Sequence, residues 1–192
     1  MTLTVPFASE ARQQFDIIAQ RFEMSCTVSN DQEVRYDNDD VFLIVNFDNG
    51  RSYELGVEIG RKKEGQPDRP FSLAEVLRLR SVSDVASIDG LMTSDSSLLG
   101  DALARLASLT LQHAADFLRG SAFSFAQVAK LREKESDAYA LESSLRSARA
   151  RSELAWSKHD YGAVVRALEP LEQHLSTAER KRLDYSRGHS SS

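Results

Sequence analysis

The chain has 192 residues, 41% of them apolar and 28% charged, and a net charge of −5. That length buries a core without covalent staples, and a single cysteine, Cys26, excludes a disulfide framework. Residues 1–90 carry 16 acidic and 10 basic side chains against 13 and 14 in residues 91–192, so the front half lacks the basic face that nucleic acid requires.

No stretch approaches the ~18 consecutive apolar residues of a membrane span. The start, MTLTVPFASEARQQF, lacks the basic and apolar regions of a secretory signal, so a reducing, cytoplasmic setting is expected. In residues 9–22, Phe15, Ile18 and Phe22 recur at helical spacing with Ala11 and Ala19 beside them, predicting a first helix. Met24, Cys26 and Val28 then alternate with Ser25, Thr27 and Ser29, and EVRYDNDD follows a turn at Asn30-Asp31. With the runs at 41–47 and 52–60 these make three or four antiparallel strands in a meander. Cys26 reads there as a small buried residue, not a nucleophile. Asp37, Asp39 and Asp40 form the densest carboxylate cluster, but the spaced ligands and closing Glu of a calcium loop are missing, and a turn is expected.

The hairpin VFLIVNFDNGRSYELGVEIG admits two registers. A two-residue Asn-Gly turn sets glutamates beside valines; a three-residue loop with Gly50 left-handed pairs Val45 with Tyr53, Leu43 with Leu55 and Val41 with Val57. The second is expected, because a one-residue slip reverses every side chain and only this register keeps Glu54 and Glu58 off the apolar face. Phe42 then stands across from Gly56, and Ile44 across from Glu54, on the other face. There they shield bare glycine backbone, lie under the first helix, or form a partner-binding patch rimmed by the two glutamates.

Past GRKKEGQPDRP, which must leave the sheet, Ser72 and Glu75 have capping-box spacing and predict a helix through Leu79. Residues 81–97 have no period and read as a loop. From Leu98 to Leu118 the stripe of Leu99, Leu103, Leu106, Thr110, His113 and Phe117, widened by Leu98, Ala102 and Leu109, predicts a helix ended by Gly120. Ser124 and Gln127 are placed as the box opening a long helix over 125–157, roughly 50 Å at ~1.5 Å per residue, part of which should project. Its narrow seam of Leu131, Ala138, Leu141, Leu145 and Ala148 suits one partner helix. A hairpin against the preceding helix is expected, with a homodimer contact as the other reading.

A turn at Lys158 to Asp160, a helix from Tyr161 to about Glu169 and a last helix boxed by Ser176 and Glu179 complete the chain, with Trp156 and Tyr161 as packing residues. Their spacing resembles half of one tetratricopeptide unit, too little to form a repeat array. The fold class is therefore α+β: an N-terminal helix, a three- to four-stranded antiparallel meander, and a mostly helical C-terminal half with a long helical hairpin. The division is a sheet domain over 1–80, a loop over 81–97, a helical region over 98–187 packed on or projecting from it, and a disordered tail over 188–192.

Phosphate loops, dinucleotide fingerprints, zinc-protease and nucleophile-elbow motifs are all missing, and no catalytic residue, cofactor or metal is assigned. His113 reads as a hydrogen-bonded core histidine. Asp48 and Glu58 on adjacent strands suggest a degenerate metal-dependent nuclease core, yet Gly60 stands where its lysine belongs. The runs Arg61-Lys62-Lys63 and Arg180-Lys181-Arg182 read as solvated charge.

In order, YELGVEIG, FSLAEVLRL, LLGDALARLASL and AWSKHDYGAVVRALEPLEQHLSTAERKRLDY resemble a group of small bacterial α+β proteins that carry no assigned activity, which implies a bacterial cytosolic origin. The functional expectation is a non-enzymatic interaction protein of immunity type that binds a basic protein partner through its acidic sheet half. Its candidate surface comprises Phe42, Ile44, Glu54, Glu58, Asp37, Asp39 and Asp40. The alternatives are a dimeric acidic secretion chaperone and the nuclease-like hydrolase; membrane and nucleic acid are not expected partners.

Overall fold

The structure, a computed structural model, describes residues 7–62, 69–83, 91–92 and 96–190. The chain divides into two compact units, Met1–Arg132 and Glu133–Ser192, and the division falls inside one helix.

The first unit opens with α1 (Phe7–Arg21), whose Phe7, Ala11, Phe15, Ile18 and Ala19 are buried. Four strands follow as a meander: β1 (Ser25–Ser29), β2 (Glu33–Asp37), β3 (Val41–Phe47) and β4 (Glu54–Arg61). Two short strands not anticipated from the sequence, β5 (Phe71–Ser72) and β6 (Leu91–Met92), pair antiparallel with the far edge of β4 at Ile59 and Leu55 respectively. The segment assigned as loop over 81–97 thus contributes a strand, while its residues 84–90 and 93–95 lie outside the described residues, as do Lys63 to Asp68.

The β3–β4 register differs from the expected one. Val45 faces Val57, Leu43 faces Ile59, Val41 faces Arg61 and Phe47 faces Leu55. Parity is as expected, so the inner face is apolar, but each β3 residue faces a partner four positions further along β4. The observed phase brings both Phe47 and Ile59 into the core, and a six-residue connection replaces the short turn. Asp48 organises that connection: its carboxylate accepts from the amides of Gly50 (3.2 Å) and Arg51 (3.1 Å) and from the Ser52 hydroxyl (3.0 Å). The left-handed residue is Tyr53 (φ 55°), not Gly50.

Cys26 is exposed, contrary to the alternating pattern. The β1–β2 register slips between Cys26 and Val28, and the extra residue of such a bulge breaks the inward–outward alternation. Asn38 makes the turn before β3, accepting from the Asp40 and Val41 amides through Oδ1 (3.0 and 2.9 Å).

Helix α2 (Leu73–Leu79) begins at the expected capping box, with Ser72 and Glu75 exchanging side chain-to-backbone bonds. The next helical stretch is α3 (Ser96–His113) and α4 (Ala115–Leu118), interrupted at Ala114, where φ is −113°. Thr110 returns its hydroxyl to the Leu106 carbonyl (2.8 Å), a bond that bends helices. Leu99, Leu103, Leu106, Thr110 and Phe117 are buried as the stripe predicts, whereas Leu98 is 54% exposed and His113 only half-buried. α3, α4 and the start of α5 (Ala122–Ser157) share one core with α1 and the inner sheet face, including Phe117, Phe125 and Val128. Ser121, not Ser124, caps α5, accepting from the Ser124 amide (3.3 Å), while the Ser124 hydroxyl donates to Asp116.

In the second unit, α5 runs unbroken to Ser157, and its stretch 133–140 is exposed throughout. After the turn at 158–160, α6 (Tyr161–Leu168) is capped by Asp160 and α7 (Thr177–His189) by the expected Ser176–Glu179 box, with a short 3-10 segment between them. The helices that close the hairpin with this half of α5 are α6 and α7: Ala155, Val164, Leu168, Leu175 and Leu183 form the core, with Leu145 and Trp156 against it. Trp156 and Tyr161 meet edge to face at 5.7 Å. Helix α7 continues through His189, past the start of the expected disordered tail; His189 Nδ1 and the Tyr185 carbonyl lie 2.7 Å apart, and the two rings stack at 3.9 Å.

Candidate functional site

The outer sheet face is built by the residues that point away from α1. Register places Glu33, Asn46 and Gly56 in one row, Arg35, Ile44, Glu58 and Ser72 in the next, and Asp37, Phe42 and Gly60 in a third.

The third row is sealed. Phe42 is fully buried against the bare backbone of Gly60, and the Arg35 guanidinium lies 4.4 Å from its ring centre. Arg35 is held there by Asp37 through two bonds (2.9 and 3.1 Å), and Lys62 approaches the same carboxylate at 3.0 Å. Burial disfavours the Asp37 charge, but the bonds from Arg35, Thr27 and Lys62 outweigh it and hold the carboxyl down at about 2. Ile44 is half-buried. Phe42 is thus no exposed patch; it shields a glycine, though Gly60 and not Gly56, and it is covered by an arginine and not by the first helix. Lys62, read from sequence as solvated charge, is an ion-pair partner.

The middle row carries the anomaly. Glu58 is half-buried and has no hydrogen bond among the described residues. Burial pushes its carboxyl above the usual range, Glu33 and Glu75 push it further, and Arg132 opposes them only partly. Arg132 is engaged elsewhere: it donates to both Glu75 oxygens (2.5 and 2.7 Å) and stacks on Phe71 at 4.1 Å.

Beside Glu58 a cleft of about 330 Å³ opens along β4. Asn46, Glu54, Glu58 and Ser72 supply polar walls, and Leu73, Ala74 and Leu106 an apolar floor. Glu54 is exposed, and its carboxylate shares the Ser52 hydroxyl with Asp48, each at 3.0 Å. A carboxylate rim over an apolar floor suits the alkyl stem and cationic head of lysine or arginine. A second depression of about 470 Å³ includes Asp37, Asp39, Asp40 and Lys62; there Asp39 and Asp40 are exposed and Asp37 is already paired.

The structure thus separates the candidate residues. Glu54 and Glu58 share the cleft, Asp37, Asp39 and Asp40 share the depression, and Phe42 and Ile44 lie in the sheet. Glu33, Asn46 and Ser72 were missed, because they join Glu58 only through a register between distant segments. Asp48 does not converge with Glu58: it stands opposite Glu54, four residues or roughly 13 Å along the strand, and its carboxylate holds the loop amides. The pair that defined the nuclease-like reading is therefore not formed. No group of three His, Cys, Asp or Glu side chains arranged to hold a metal occurs among the described residues, and no helix among them is long and apolar enough to cross a membrane. No protein-family model, curated protein or solved structure matches the chain.

Proposed function

We propose that the first unit is a non-enzymatic interaction module of the bacterial cytosol that holds a basic protein partner, as an immunity-type protein does. The observation that carries this reading is Glu58, a half-buried carboxylate without a hydrogen bond among the described residues, at the wall of a cleft that also presents Glu54. A lysine or arginine from a partner would relieve the repulsion from Glu33 and Glu75 that Glu58 now bears. Charge supports the assignment: residues 1–132 contain 19 acidic and 14 basic side chains, and residues 133–192 contain 10 of each, so the excess negative charge lies in the first unit. Such an excess steers a basic partner to the surface.

The test is capture from native bacterial lysate by wild type and by the Glu54→Lys/Glu58→Lys double variant. A basic protein retained by the first, lost by the second and released by moderate salt supports the reading. Retention unchanged in the variant, or no retained protein together with Mg²⁺- or Mn²⁺-dependent cleavage of nucleic acid or ester by the purified chain, overturns it. A dimeric adaptor is the second reading, favoured by the exposed stretch 133–140 of α5, where Tyr139 is 76% exposed; sedimentation equilibrium distinguishes it.

A further inference from the structure

The second unit contains a groove of about 310 Å³ between α5 and α7, with Arg149, Ser152 and Glu153 on one wall and Glu179 and Arg182 on the other. Ser152 is 1% exposed, and its hydroxyl has no partner among the described residues. Two other buried helical hydroxyls behave differently. Thr110 and Ser186 each return a bond of 2.8 Å to the carbonyl four residues back, the usual resolution for such a group. A buried hydroxyl left unpaired carries a desolvation penalty, and Ser152 is one of the residues that line the groove.

The groove also carries two guanidinium groups, each paired with one of its two carboxylates. Arg182, part of a run that reads from sequence as solvated, stacks over Trp156 at 5.1 Å and is anchored by Glu153 (2.6 Å), whose side chain is 71% exposed. Arg149 donates to Glu179 through Nε (2.6 Å) and more distantly through Nη2 (3.4 Å), leaving Nη1 outside that pair. Glu179 is fixed in place by accepting the Ser176 amide (2.7 Å). Glu153 has no other side-chain partner among the described residues, so an incoming anion can displace it into solvent.

We propose that this groove binds a phosphate-sized oxyanion, taken by the Ser152 hydroxyl from below and by the Arg182 and Arg149 guanidinium groups from the sides, in place of the Glu153 carboxylate. Arginine forks suit a tetrahedral oxyanion, and the groove has room for a phosphoryl group carried on a small molecule.

The full chain is titrated with inorganic phosphate and, separately, O-phosphoserine at constant ionic strength, with chloride as reference, following the thermal midpoint and calorimetric binding. Phosphate is expected to raise the midpoint above chloride. Ser152→Ala is expected to raise the anion-free midpoint, because the unpaired hydroxyl is gone, and to weaken binding roughly tenfold or more. Glu153→Gln is expected to tighten binding by removing the competing carboxylate. Tighter binding of O-phosphoserine than of phosphate supports a phosphoryl ester as occupant, and the reverse supports the free oxyanion. The proposal is overturned if phosphate stabilises no more than chloride, or if Ser152→Ala binds it as wild type does.

Discussion

Phe42 and Gly60 form a single packing unit across β3 and β4: a Cβ added at Gly60 would lie 2.1 Å from the ring tip of Phe42. The aromatic ring takes the place of the side chain that the glycine lacks, and Arg35 closes it from the other side.

Gly60→Ala is accordingly expected to destabilise the protein by about 1–3 kcal/mol, because the ring must move from a fully packed position. In a Phe42→Leu background the same change should cost less, since the smaller side chain leaves room for the methyl group. Urea unfolding of the four proteins in this cycle measures the coupling, and additive effects would contradict direct contact.

Asp37 predicts an acid-labile contribution. Its folded pKa of about 2 lies below the ordinary unfolded value, so the stability it confers is complete above the carboxylate range and is lost as pH falls from about 4 through about 2. Asp37→Asn should be less stable than wild type at neutral pH, and the two should converge near the bottom of that window in paired denaturation curves.

Glu58 predicts the opposite sign. A carboxyl raised by burial and by Glu33 and Glu75 prefers to be neutral in the folded state, so it costs stability once pH exceeds the carboxylate range. Glu58→Gln should therefore raise the thermal midpoint at neutral pH, with the advantage vanishing in acid. A residue that lowers stability while shaping a cleft fits a binding role, and a Glu58→Gln variant less stable than wild type at neutral pH would contradict the repulsion inferred here.

Cys26, exposed beside the β1 bulge, should react with a thiol reagent in the native protein at the rate of an accessible thiol, one equivalent per chain. Reaction only after unfolding would restore the buried assignment made from the alternating pattern.

The two capping boxes, Ser72 with Glu75 and Ser176 with Glu179, were readable because each bond spans only three residues. The unbroken course of α5 was readable for a similar reason, since no residue within it disrupts the backbone ladder. The segregation of Val41, Leu43 and Val45 to one face followed from strand alternation.

What distant segments decide was hidden. The hairpin's parity lay in the sequence, but its phase depended on summing several cross-strand pairs and on Asp48 holding a longer loop. Cys26 followed a bulge that alternation does not announce. The seam of α5 suited a partner helix, but only the fold supplied α6 and α7 for its second half.

The amino-acid sequence by itself determined the helices with their caps and the existence of the meander, because those rest on interactions between residues a few positions apart. The tertiary structure alone decided that Glu58 pairs with Ser72 beside a cleft and feels the charge of Glu33, and that Ser152, without a partner among the described residues, shares a groove with Arg149 and Arg182. Those juxtapositions depend on strand register and helix packing, which emerge only when the whole core closes.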